Sequence, residues 1–342
     1  MTIISGCSST EAISKNDSPD IIVNGISLKI SLIQTAYEMY RINVDDSYIF
    51  SEYDYKKSSR DDYKHYKWLI STYDEMDKNM KNKLSNLFIS YDAWDYINAV
   101  IDLDDDASID EIISALKSDD YLDLPYFLKD DLDSFFSYFY DEYFKSYMKR
   151  KEDIYSKKAS ELNKKISKNE VNVVKFVETI SGIDLEKDYK SIMYYNFNPF
   201  ETHSFVDNSL MVSTITPTST IFNVVSLPFY KYSRPLFEYM RNDSEFLKVA
   251  SKLENDKKLV SMYKDLYKTD YPFEDWCLEN LICGFSKYLD YRYYGSTYEY
   301  ASYVYDLDFY NYLKDINFNP NKMSLKDASL DFFESVLNKN NK

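Results

Sequence analysis

His65 and His203 are the only imidazole side chains among the 342 residues, and they lie far apart in the sequence. A zinc peptidase with a helical metal site uses two histidines one turn apart on a single helix, because both ring nitrogens must reach one ion. The chain has no pair of histidines with that spacing. We therefore predict neither a metal centre nor a bound cofactor.

The composition excludes several other classes of function. A net charge of −16 leaves no surplus of basic side chains to replace the counterions of a phosphate backbone, which argues against nucleic-acid binding. Five glycines are too few for a glycine-rich phosphate loop, and no motif of that kind is present. The length allows one large domain or two ordinary ones.

The first residues predict a lipid anchor. Ile4, Ser5 and Gly6 precede Cys7 as small residues precede the lipidated cysteine of a bacterial lipoprotein, and a polar tract follows from Ser8 to Asp20. A signal peptide also needs an apolar run of 7–15 residues, so this interpretation places the true start of translation upstream of Met1. We expect residues 1–25 to form a tether and Cys7 to attach the protein to the outside of a bacterial cell. A chain that truly starts at Met1 would instead be cytoplasmic.

Hydrophobic periodicity predicts an α+β fold that is mostly helical. Residues 26–168 show apolar side chains at steps of three and four, which is typical of amphipathic helices. Residues 169–342 are expected to form a second subdomain, with a small sheet and packed helices. Its strands are predicted from short β-branched or aromatic runs: Tyr189–Tyr195, Leu210–Ile215 and Ile221–Val225.

Helix ends are also visible in the sequence. Ser108 and Glu111 have the spacing of a capping box, which predicts that a helix starts there. Gly182 is predicted to close a helix that begins near Val171.

One constellation carries the functional inference. The predicted strand Ile221–Val225 leads directly into a predicted helix, and a later helix carries Glu279, which lies 49 residues beyond Tyr230. A strand, a helix and a second helix with one inward glutamate form the layout of gluzincin metallopeptidases.

The chain resembles a family of bacterial, often lipid-anchored proteins of unknown function whose C-terminal half is zincin-like. The active helix of that family is similar to HEFSHSFVNPL, and Ser226–Leu236 aligns with it without gaps and shares Pro235 and Leu236. Further matches are the segments 90–93, 126–155 and 276–281. The resemblance covers residues 26–310 and implies a zincin-like sheet in the C-terminal half.

The resemblance implies a degenerate site. The two metal-ligand histidines of the family fall on Ser226 and Tyr230, the general base falls on Leu227, and only the third ligand has a counterpart, Glu279. One carboxylate with a hydroxyl and a phenol cannot hold zinc tightly, and leucine cannot accept a proton. Pro228 suits only the first turn of a helix, so this helix is expected to begin later than in an active relative.

A second alignment places His203 on the second metal ligand, with Pro199 and Phe200 in place of the first histidine and the glutamate. We prefer the first alignment, because the second puts the motif before two of the three predicted strands. Both lack the full set of metal ligands.

The favoured hypothesis is a catalytically inactive, zincin-like lipoprotein whose cleft binds an extended peptide or a protein, with a strand that pairs with the ligand backbone. One alternative is an active hydrolase with a relocated site formed by His203, Glu201 and Glu279. A second alternative is a glycan-binding surface built from some of the 36 tyrosines, which requires exposed rings beside a groove. The non-functional expectation for His203 is a hydrogen-bonded core or loop residue, and for Glu279 it is a solvated side chain or an ion pair with Arg or Lys.

Overall fold

A computed structural model describes residues 20–185, 189–207, 209–266 and 271–340. The fold is α+β and mostly helical, as predicted. In chain order the elements are β1 (Ile21–Asn24), α1 (Leu28–Asn43), α2 (Glu52–Ser58), α3 (Arg60–Glu75), α4 (Lys78–Phe88), α5 (Ala93–Val100), α6 (Ile109–Ser118), α7 (Tyr126–Phe139), α8 (Lys145–Lys168), α9 (Val173–Ser181), β2 (Lys190–Tyr195), β3 (Ser204–Asp207), β4 (Leu210–Ile215), α10 (Ile221–Glu238), α11 (Ser244–Leu253), α12 (Lys257–Leu266), α13 (Phe273–Tyr294), α14 (Asp306–Asp315) and α15 (Leu325–Asn340). A π-helical turn, Tyr140–Phe144, joins α7 to α8.

The chain forms two compact units, each built from separate segments. Among the described residues, the sheet unit contains those within 22–168 and 191–224, and the helical unit contains those within 20–21, 169–190 and 225–340. Strands β2, β3 and β4 therefore group with the N-terminal helices, whereas the sheet was predicted to pack with the C-terminal helices in a second subdomain.

A single four-stranded sheet, with strand order β1-β2-β4-β3, lies in the sheet unit. Strands β3 and β4 are antiparallel, and Ser204 is opposite Ser213. At the other edge, the side-chain amide of Asn163 on α8 accepts from the backbone N–H of Val23 at 2.9 Å and donates to its carbonyl at 2.7 Å. This amide therefore satisfies the outer backbone groups of Val23 in β1.

The core of the sheet unit forms around α1. Ten of its sixteen residues are buried, so the helix is enclosed on most of its circumference rather than on one stripe. Helices α3, α4 and α5 pack against it. This extensive burial explains why α1 contains buried polar residues such as Glu38, which require internal hydrogen-bond partners.

The core of the helical unit forms around α13, in which 14 of 22 residues are buried. Helix α14 packs closely against it at Gly284. A Cβ at this position would lie 2.6 Å from the carbonyl oxygen of Asp306, so only glycine allows the observed approach.

The predicted strand Ile221–Val225 is wrong, because these residues form the first turns of α10. The side chain of Asn223 accepts from both the N–H and the hydroxyl of Thr220, so the chain is capped as a helix at this point. Pro228 lies well inside α10, as does Pro235, which corrects the expectation that Pro228 occupies a first turn. The β-branched residues of the segment do not prevent helix formation, since their helix propensity is only slightly reduced.

Other local predictions are confirmed. Strand β4 has the predicted limits, and β2 differs from its prediction by one residue. Ser108 and Glu111 form the predicted capping box, and Gly182 ends α9 with a φ of 72°. Strands β1 and β3 were not predicted, and the whole of β1 lies within residues 1–25, the segment expected to be a tether. No helix in the described part of the chain combines the length and apolar character needed to span a membrane.

Candidate functional site

Helices α10 and α13 meet at the side chain of Glu279. Tyr230 and Arg234 lie one turn apart on the same face of α10, so both reach this carboxylate. The phenol of Tyr230 donates to Oε2 at 2.6 Å, and the guanidinium of Arg234 pairs with Oε1 at 2.6 Å. Tyr271, which precedes α13, also donates to Oε1 at 3.0 Å. The structure thus brings together two of the residues predicted for the site, Tyr230 and Glu279.

The carboxylate is buried and fully engaged. The Glu279 side chain is only 4% exposed, whereas that of Arg234 is 37% exposed. Burial, together with the hydrogen bond to Glu279, raises the pKa of Tyr230. Burial also raises the pKa of Tyr271, and the neighbouring negative charge adds to the effect. Burial lowers the pKa of Arg234, but the attraction of Glu279 outweighs it and the net pKa is raised. All three donors therefore keep their protons at neutral pH.

Ser226 and Leu227 do not take part in this cluster. The hydroxyl of Ser226 donates to Asp290, and Leu227 is half-buried. Glu279 and Asp290 are eleven residues apart on α13, about 16 Å along its axis at 1.5 Å per residue. Ser226 and Tyr230, the two positions predicted to correspond to metal-ligand histidines, are therefore directed to different carboxylates.

The cleft beside Glu279 is small. Its lining includes Arg234, Tyr271 and Asp275, and the cavity measures about 10 Å³, which is at the lower limit for one water molecule. Within the described ranges, no three His, Cys, Asp or Glu side chains are grouped as ligands for a metal ion. The residues here do not fit a zinc ion, because the one carboxylate already bonds a cation and two phenols.

The alternative site residues have partners of their own in the sheet unit. Glu201 pairs with Arg41 at 2.6 Å. Trp94 packs against the ring of His203, with centroids 4.7 Å apart. Burial lowers the pKa of His203 to about 4, so the ring is neutral at pH 7. Glu279 belongs to the helical unit, where its oxygens bond Tyr230, Arg234 and Tyr271.

Two further predictions concern Cys7 and the tyrosines. Cys7 and the proposed lipidation box lie outside the described residues. Six tyrosines of the described chain are exposed, three in each unit: Tyr53, Tyr121, Tyr126, Tyr239, Tyr294 and Tyr300. Many of the others are buried in aromatic clusters.

A buried polar chain in the sheet unit was not predicted. Glu38 accepts from Tyr55 at 2.6 Å and contacts Nε2 of His65 at 2.9 Å, while Nδ1 of His65 contacts the phenol of Tyr147 at 2.8 Å. The order carboxylate, imidazole, hydroxyl is that of an activated nucleophile. All four residues are buried, however, so no substrate reaches the hydroxyl. These hydrogen bonds satisfy polar groups of the core. The bonded pairs are 17 to 82 residues apart in sequence, so they gave no local signal.

Comparison with known proteins yields no match to a family model, a curated protein or a solved structure. The resemblance to zincin-like lipoproteins therefore remains a prediction based on motif order.

Proposed function

We propose that this protein is a non-catalytic, zincin-like binding protein in which an ion pair takes the place of a metal site. The observation that carries the proposal is the coordination of Glu279: Arg234, Tyr230 and Tyr271 use both of its oxygens. A zinc peptidase needs three protein ligands and an activated water, and a positive guanidinium against the remaining carboxylate repels a cation. Its role is then binding of a peptide or protein partner, and lipid attachment through Cys7 remains part of the same proposal.

Zinc binding is the direct test. We expect no stoichiometric zinc by elemental analysis of the purified protein, and no titration heat with zinc chloride. The Glu279→Ala variant should give the same result. About one equivalent bound with sub-micromolar affinity by the wild type, and lost in Glu279→Ala, would show that the carboxylate is a metal ligand and reject the proposal.

The zincin resemblance has a separate test that uses installed ligands. Ser226→His and Tyr230→His, combined with Arg234→Asn to release the carboxylate, should create a zinc site if Glu279 lies at the position of a third ligand. The matched control adds Glu279→Ala to the same background. We expect it to bind zinc at least about tenfold more weakly, since even an outer-sphere partner of a zinc ligand contributes that much. Equal affinity with and without Glu279 would remove the zincin assignment.

A further inference from the structure

Three aromatic side chains at the junction of α6 and α7 are turned to solvent. Tyr121 is 99% exposed, Tyr126 is 81% exposed and Phe127 is 60% exposed. They lie within seven consecutive residues, so they form a local group rather than scattered single side chains. Large exposed aromatic groups of this kind mark interaction sites, because such rings bury well against a partner.

The segment that carries these rings is anchored to the unit. Leu122 and Leu124 are buried, and the side chain of Asp119 accepts from the backbone N–H of Tyr121 at 3.0 Å and of Leu122 at 2.9 Å. Tyr121 is thus presented outward directly before the buried Leu122. A partner would meet this ring on an ordered support.

The surroundings of the rings are acidic. Residues 117–133 contain six aspartates and two lysines, a net charge of −4. Lys117 bonds Asp133 at 2.6 Å. Three carboxylates of this stretch are exposed: Asp120, Asp123 and Asp130. Together with Tyr121, Tyr126 and Phe127 they define what we call the acidic–aromatic surface.

A groove adjoins this surface. The cavity between α6 and α7 has a volume of about 400 Å³, and its lining includes Asp110, Ile113, Ser114 and Asp133. Lys117 also lines the groove and bonds Asp133 at 2.6 Å, so the groove lies on α6 and α7, the two helices at whose junction the rings lie. The volume lies within the usual range for a ligand site and has room for side chains of a bound segment.

We infer that the acidic–aromatic surface binds a polypeptide segment rich in lysine or arginine. Cationic side chains pack over tyrosine faces and pair with carboxylates, so one residue type satisfies both features. Arg41 does this within the same unit, where its guanidinium lies 4.5 Å from the ring centre of Tyr48 and bonds Glu201. A second copy of the chain is a poor occupant, because its own charge of −16 repels the surface. A basic polypeptide would be the partner in the binding function proposed above, on which this inference rests.

The probe is a fluorescein-labelled octapeptide of alternating lysine and serine, measured by anisotropy with the full chain. A peptide with glutamate in place of lysine is its control. The deciding variant is Tyr121→Ser with Tyr126→Ser and Phe127→Ser, since it removes the rings and keeps the net charge. We expect binding about tenfold weaker or more, because each ring contributes one cation–π contact. Three exposed tyrosines elsewhere provide the matched control variant: Tyr53→Ser, Tyr239→Ser and Tyr300→Ser.

Unchanged affinity in the aromatic variant would overturn the inference, because the peptide would then be held by net charge alone. If the wild type self-associates and the aromatic variant does not, the surface binds a second copy of the protein rather than a basic peptide, and the inference is wrong. Binding of a neutral oligosaccharide that is lost in the same variant, with the peptide unaffected, would also overturn it. The zinc experiment addresses Glu279 in the other unit, so either proposal can fail without the other.

Discussion

Because three side chains donate to Glu279, we expect the protein to lose much of its stability when the negative charge of this residue is removed. In Glu279→Gln, one oxygen of the carboxylate becomes an NH₂ group, so at least one of the three donors faces another donor. Hydrogen bonds to a charged group contribute about 1.5–3 kcal/mol each. Because Arg234 is 37% exposed, water replaces part of its bond. We therefore expect Glu279→Gln to lower the free energy of unfolding by about 3 kcal/mol, the low end for one partner of a buried ion pair.

Urea unfolding followed by circular dichroism measures this difference. Glu334→Gln is the matched control, because this glutamate is exposed on α15 in the same unit, and it should change the free energy by less than about 0.5 kcal/mol. Arg234→Met should cost about 1–2 kcal/mol, less than Glu279→Gln, since two phenols still bond the carboxylate. The double variant should cost less than the sum of the two single variants. Additive effects, or a Glu279→Gln effect as small as the control, would refute the reasoning.

Two further predictions concern pH dependence and helix packing. The pKa of His203 is about 4 in the folded state and about 6.5 in the unfolded state, so its contribution is complete above pH 6.5 and is lost as the pH falls towards 4. Urea titrations at several pH values measure the free energy of unfolding of the wild type and of His203→Asn. Between pH 6.5 and 4, the variant should lose about 2 kcal/mol less of this free energy than the wild type. An equal loss in both proteins would contradict the prediction. Gly284→Ala should destabilise by about 2 kcal/mol by thermal or urea unfolding, because its Cβ would overlap the carbonyl of Asp306. Ser286→Ala on the same helix is the control, and a gain in stability of Gly284→Ala would disprove the close contact.

Local signals in the sequence predicted local structure well. The Ser108 and Glu111 pair and Gly182 each act within a few residues, and both were located correctly. Residues 221–225 are rich in β-branched side chains, which favour a strand, whereas their helical start is marked only by Thr220 and Asn223, a weaker pattern than a serine–glutamate box.

The candidate site was predictable only in part. The 49-residue spacing paired Tyr230 with Glu279, and an ion pair with Arg or Lys was an expected alternative for this glutamate. The partner identity, Arg234, and the separate contact of Ser226 with Asp290 depend on how α10 and α13 cross. The buried contact of Glu38 with His65 depends likewise on tertiary packing, because α1 is buried on most of its circumference and its periodicity does not mark a polar position as internal.

The double hydrogen bond of Asn163 to Val23 has a consequence for the chemical ageing of the protein. A backbone edge that a single amide covers depends on that amide keeping its NH₂ group. Deamidation to aspartate would leave only acceptors, one of them against the carbonyl of Val23, and repulsion would open the border of the sheet. Uncovered strand edges recruit other chains, so we expect hydrolysis of this one side-chain amide to promote aggregation of a concentrated sample on storage.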